Sequence, residues 1–132
     1  MPRFVLNRLQ YVLLREAMAV VEEGVASAED VDTIVSTTFG FRLPFFGPFA
    51  IADMAGLDTY GLALASVQAA YPGRFETPPA LAALLADGKL GTKSGGGYLD
   101  VPAERIPELV AYRNRAYVKM AKLLAELGPA PR

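Results

Sequence analysis

Two donor groups stand in apolar surroundings, the Asn7 carboxamide in "FVLNRLQYVLLREAM" and the Arg42 guanidinium in "FGFRLPFFGPF". A carboxamide can donate to a substrate carbonyl, and a guanidinium offers a planar fork to a carboxylate or phosphate. Neither is suited to moving protons at neutral pH, so the chemistry they imply is the holding and orienting of an oxygen-bearing ligand. At 100° per residue, Asn7 shares a helical stripe with Leu14, Met18 and Val21, whereas Arg8 shares another with Arg15 and Glu22. Asn7 is therefore expected to point inward and Arg8 outward. A buried amide without partners costs roughly 1–3 kcal/mol, so Asn7 must either satisfy neighbouring backbone or face a ligand. Arg42, flanked by Phe41, Leu43, Phe45 and Phe46, is expected to pair with Asp53 or Asp58, with an acidic ligand as the alternative.

Other groups are less promising. Glu16 lies on the side of Leu9, Val12 and Val20, where pairing with an arginine across a helix contact is the expected role. "GTKSGGG" has a superficial likeness to a phosphate-binding loop, but Thr92 rather than glycine precedes Lys93, and a helix rather than a strand comes before it. It reads as a tight loop carrying the chain past a helix. The basic residues Arg105, Arg113, Arg115, Lys119 and Lys122 are interspersed with Glu104, Glu108 and Glu126, the pattern of a solvated helix face.

The 132 residues contain neither histidine nor cysteine. That removes the usual general base, the commonest transition-metal ligand, disulfides and thiolate chemistry. Thirteen basic and fourteen acidic residues leave a formal net charge of -1, which gives no electrostatic reason to bind nucleic acid. The longest uncharged run, Thr59 to Gly73, holds Gln68, Ser66, two tyrosines and Pro72 and is too short and too polar for a membrane span. With no visible signal or lipidation motif, a cytoplasmic location is expected.

Hydrophobic residues make up 52% of the chain, enough for one packed domain over residues 1–132. The first helix is expected over 3–23 with Gly24 as its left-handed cap. Apolar residues cover nearly its whole circumference, so it should be buried on several sides, against another chain or domain as well as its own neighbours. Ser27-Ala28-Glu29-Asp30 reads as a capping box for a second helix that Gly40 ends. "FGFRLPFFGPF" places five phenylalanines and two prolines in eleven residues and is expected to be an irregular, buried connection. Pro48 should begin a short helix closed by Gly56, and Asp58 should cap the next, running to about Tyr71. Thr77-Pro78 marks a helix over 78–87. After the glycine-rich "GKLGTKSGGGYLD", a long helix over 103–127 is expected, buried along Ile106, Val110, Tyr117, Ala121 and Leu124. The fold class is all-α, with five to six helices and no sheet.

Three ordered stretches, "FVLNRLQYVLLREAMAVVEEGVASAEDVD", "FGFRLPFFGPFAIADMAGLD" and "LADGKLGTKSGGGYLD", together with their spacing, resemble the C-terminal helical domain of the NAD-dependent 3-hydroxyacyl-CoA dehydrogenase family, over residues 3 to about 100. The resemblance implies the 6-phosphogluconate-dehydrogenase-like C-terminal fold. It also implies a homodimer contact made by this domain, and a partner Rossmann domain, in cis or in trans, that binds NAD and supplies the catalytic histidine-glutamate pair. No G-x-G-x-x-G follows a strand here, so this chain is read as the substrate-covering, dimerising half of such an enzyme, without catalytic, cofactor-binding or metal-binding residues of its own and inactive alone. Asn7 matches the family asparagine that reaches into the substrate cleft, and Arg42 is the second substrate-binding candidate. An arginine in that segment and "NRLQY" lean toward relatives acting on free hydroxy acids, the gulonate dehydrogenase and lambda-crystallin group. "ADMAGLD" and the complete glycine-rich terminus lean toward acyl-CoA, the favoured substrate, oxidised as in fatty-acid β-oxidation. A non-catalytic homodimeric interaction module is the alternative from another class.

Overall fold

Residues 2–131 are described by the computed structural model, with side chains from Phe4 onward. Helical periodicity and its punctuation place seven α-helical segments: α1 (Pro2–Glu22), α2 (Ala28–Thr37), the single-turn α3 (Phe39–Arg42), α4 (Pro48–Ala55), α5 (Leu57–Ala70), α6 (Pro79–Ala86) and α7 (Ile106–Leu127). Two 3₁₀ turns, Thr92–Ser94 and Ala103–Arg105, complete the list. Apart from α3 there are six helices, and among the described residues the only β-type pairing is an isolated bridge between Gly91 and Gly96. The all-α expectation is met.

The chain divides into two compact units, Met1–Phe41 and Arg42–Arg132. In the first, α1 and α2 pack on each other. Gly24 takes φ 73°, the left-handed conformation that stops α1, and the Ser27 hydroxyl accepts the Asp30 N–H at 3.1 Å to start α2. Gly40 does not end α2. The helix stops at Thr37, where the Thr37 and Thr38 hydroxyls bond back to the Thr33 and Ile34 carbonyls, and Gly40 lies inside α3. Its missing side chain matters there, because a Cβ on Gly40 would stand 2.5 Å from the Val35 carbonyl oxygen.

In the second unit, α4 contacts α5, and α5 contacts α6. Pro48 opens α4 and Gly56 closes it, as the sequence requires. Asp58 is not the cap of α5: Gly56 occupies that position, Leu57 begins the helix, and Asp58 sits in its first turn. Likewise Pro78, not Thr77, precedes the first residue of α6. In α7 the buried position is Ala116, while Ile106, Val110 and Tyr117 are half-buried and Ala121 and Leu124 are exposed, so the buried stripe ends earlier than the periodicity indicates. The segment after α3 is irregular, as expected, but Phe39–Arg42 itself forms a helical turn because the first proline arrives only at Pro44.

The second unit is organised around a carboxylate. Asp53, the one charged residue in "PFAIADMA", is only 3% exposed, and its two oxygens accept the Tyr98 N–H at 2.8 Å and the Leu99 N–H at 2.7 Å. Gly91 and Gly97 are in contact distance of Asp53, where any Cβ would collide with its main chain or carboxylate. Asp53→Ala orphans two buried donors and is expected to cost about 3–5 kcal/mol, read as a lower urea midpoint in circular dichroism. Asp53→Asn keeps one acceptor oxygen and should lose roughly half of that.

Candidate functional site

The glycine-rich loop is built by local rules. Gly91 has φ 107°, a conformation other residues avoid, and its N–H and carbonyl exchange bonds with Gly96 at 2.9 and 3.1 Å. The Ser94 hydroxyl fills the turn, accepting the Leu90 N–H at 2.8 Å and lying 2.9 Å from the Gly96 carbonyl, to which it donates. The Leu90 carbonyl accepts the first N–H of α5, from Leu57, at 2.9 Å. These bonds close the loop on itself and onto α5, and the Gly91, Ser94, Gly95 and Gly96 N–H groups are taken up within it, so it is a structural clasp, in keeping with its sequence.

Lys93 rises from this clasp to meet Asp58, Nζ to Oδ1 at 2.7 Å. The contact is made close to Gly56, where an added Cβ would meet both charged groups at 2.8 Å. The hydrogen bond from Lys93 holds the Asp58 carboxyl below its ordinary value of 3.8, and the backbone N–H of Thr59 adds to the effect. Beside the clasp, Phe49 and Tyr98 stack face to face with centroids 4.1 Å apart.

Arg42 begins the same unit and is half-buried. Its carbonyl accepts the N–H groups of Phe45 at 3.0 Å and Phe46 at 3.1 Å. Phe46, 8% exposed, meets the rings of Tyr112 and Tyr117 on α7 edge-on, at 5.8 and 6.4 Å. The expected pairing of Arg42 with Asp53 or Asp58 is not made: each Asp53 oxygen accepts a backbone N–H, and Asp58 is bound to Lys93. Sequence reasoning treated Asp53 as an arginine partner and missed its anchoring role. The available signal was a lone acid in an apolar helix followed by a glycine-rich stretch with unpaired N–H groups.

Asn7 belongs to the first unit and is exposed, as are Leu14, Met18 and Val21 of its stripe and Arg8 of the other. The inward orientation expected for Asn7 is therefore not found within this chain, and its amide meets no desolvation cost there. A groove of about 340 Å³ between α1 and α2 is lined by Leu14, Ala17, Met18, Val21, Ala28 and Val31, but not by Asn7. The breadth of exposed apolar surface is the dominant feature of α1: Phe4 is 74% exposed, Leu6 61% and Leu9 56%. Its burial on several sides, expected from composition, is not provided by the described contacts, because the side chains that would cover it are not among them.

Among the described residues there is no cluster of three or more metal-ligating side chains, and no helix is long and apolar enough to cross a membrane. Donors, aromatic rings and a braced loop are present; a proton-transfer pair is not seen among the described residues.

The chain belongs to the 3-hydroxyacyl-CoA dehydrogenase family, whose C-terminal domain profile matches residues 4–101. It is 39% identical to the 5-formyl-3-hydroxy-2-methylpyridine 4-carboxylate 5-dehydrogenase of Mesorhizobium japonicum, over 93% of this chain and 40% of that protein. It is 36% identical to the mitochondrial hydroxyacyl-coenzyme A dehydrogenase of Homo sapiens, over 74% of this chain and 31% of that protein. The solved 3-hydroxyacyl-CoA dehydrogenase of Archaeoglobus fulgidus superposes with a TM-score of 0.69 at 31% identity, over 93% of this chain and 41% of that one. The chain thus spans well under half the length of these relatives.

The Lys93 contact gives a pH prediction. A carboxyl held below its unfolded value stabilises the fold above the ordinary carboxylate range and loses that contribution as pH falls through the folded value. In Lys93→Met the Asp58 carboxyl should titrate nearer 3.8 by NMR, and the stability advantage of the unsubstituted chain should be present at neutral pH and vanish in acid. An unchanged Asp58 titration would show that Lys93 does not set it.

Proposed function

We propose that this chain is the substrate-covering and dimerising half of an NAD-dependent dehydrogenase that oxidises a 3-hydroxyacyl-CoA to the 3-oxo compound, working with a Rossmann domain in cis or in trans. The observation that carries this reading is the family match combined with the uncovered apolar circumference of α1, a surface suited to a second copy and to a cleft-forming domain. NAD, bound by the Rossmann domain, accepts the hydride, and the base that takes the hydroxyl proton belongs to the same domain. What this chain adds is position. The exposed Asn7 amide is free to donate to the substrate carbonyl once the opposing wall is in place. No residue of this chain is proposed to bind NAD or a metal.

A second reading, a free carboxylate in place of the thioester, is favoured by two observations. The match that runs over 93% of the chain includes a relative named for a pyridine carboxylate, and the acids expected to neutralise Arg42 are engaged elsewhere. In this reading the Arg42 guanidinium receives the substrate's acid group.

Combining the chain with the NAD-binding domain of a family member should restore NAD reduction on a 3-hydroxyacyl-CoA, whereas the chain alone should give none. Failure on every hydroxyacyl-CoA and hydroxy acid tried would leave the interaction-module alternative. Asn7→Ala should lower the reconstituted rate by about tenfold or more while leaving the melting temperature nearly unchanged, since an exposed side chain carries little stability. Arg42→Ala should selectively raise KM for a free acid, and an equal loss on acyl-CoA would remove the carboxylate reading. Sedimentation equilibrium should show a dimer that Leu6→Asp with Leu9→Asp dissociates, because charge at both positions makes the apolar face costly to bury.

A further inference from the structure

We infer that α7 is a specificity-determining element: through Tyr112 and Tyr117 it holds the Phe45-Phe46 segment and so positions Arg42 for a carboxylate-bearing ligand. The inference rests on the assignment of Arg42 to a substrate carboxylate.

Three observations lead to it. First, the segment that defines the family ends at residue 101, before α7 begins at Ile106, so α7 lies outside it, although the match to the pyridine-carboxylate dehydrogenase runs over 93% of the chain and takes in most of α7. Second, two tyrosines of α7 meet the Phe45-Phe46 segment. Phe46 is met edge-on by Tyr112 and Tyr117, with interplanar angles of 83° and 82°, and Phe45 lies 6.2 Å from Tyr117. Third, Phe45 and Phe46 donate their N–H groups to the same acceptor, the carbonyl of Arg42. The path from ring to ring to backbone is continuous. Moving the Phe46 ring by a fraction of an ångström turns the peptide that carries Arg42, and the length of the arginine side chain magnifies that turn at the guanidinium.

The consequence is a division of labour within one turn of chain. The Arg42 main chain is held by α7, while its side chain is left without either of the carboxylates available for structural pairing. A guanidinium on a braced backbone, not committed to an internal acid, suits an external one.

The test uses the chain itself, with nitrogen-labelled arginine side chains followed by NMR during titration with 3-hydroxybutyrate, and with the neutral 3-hydroxybutyramide as control. The Arg42 Nε–H signal should move with the acid and not with the amide. Tyr112→Leu, which keeps apolar bulk and removes the ring, should weaken that binding about three- to tenfold, the scale of one or two edge-on ring contacts, and Tyr112→Phe should restore it. Phe46→Leu, which removes both ring contacts from the other side, should weaken it similarly, and it is read in place of Tyr112→Leu if that variant does not fold. An Arg42 signal indifferent to the acid in the unsubstituted chain would overturn the carboxylate assignment, and this inference with it. An Arg42 signal that responds equally in the unsubstituted, Tyr112→Leu and Phe46→Leu chains would overturn the role of α7 alone.

Discussion

One buried carboxylate, that of Asp53, ties the second unit of this protein together. Its oxygens are bonded to the backbone of Tyr98 and Leu99, more than forty residues downstream, and the two nearest glycines pack against it too closely for any side chain. A charge taken out of water is tolerable only when strong donors replace the lost hydration, and two short backbone N–H bonds do so. The path of the chain after α6 follows from that requirement: it must return to α4, it must be rich in glycine to come close, and it must leave N–H groups unpaired by any ladder. The Ser94 turn then closes the same loop on itself, and the Leu57–Leu90 bond and the Lys93–Asp58 pair fasten it to α5.

The first unit presents the opposite situation. α1 carries so many apolar side chains, on so much of its circumference, that its packing on α2 leaves Phe4, Leu6 and Leu9 mostly exposed. Most of the stability of a helix comes from tertiary packing rather than from its own propensity, so α1 needs cover. The second copy and the Rossmann domain proposed above would supply it. Asn7 lies on this same helix, so on that proposal one helix carries both the partner surface and the amide offered to a substrate.

Arg42 shows why an apolar neighbourhood in sequence is a weak guide to the fate of a charge. Phe45 and Phe46 are drawn away to α7, with Phe46 buried there, and Arg42 stays half-buried at the start of the unit. What leaves it without either acid is competition: Asp53 takes backbone donors and Asp58 takes Lys93, so neither neutralises the guanidinium.

The sequence alone determined what local physics governs. Helix ends at Gly24, Pro48, Gly56 and Gly128 follow from backbone freedom and ring closure, and α1 could be seen to carry more apolar surface than a small chain can bury. The absence of histidine and cysteine limited the chemistry just as directly. Tertiary structure decided what depends on which groups reach each other first. Asp53 became an anchor rather than an arginine partner because N–H groups forty-five residues away could approach it, a proximity no local pattern encodes. Asp58 exchanged a capping role for an ion pair because Gly56 was already at the cap. Asn7 turned out solvent-facing within this chain, because periodicity tells which residues share a stripe but not whether anything lies against it.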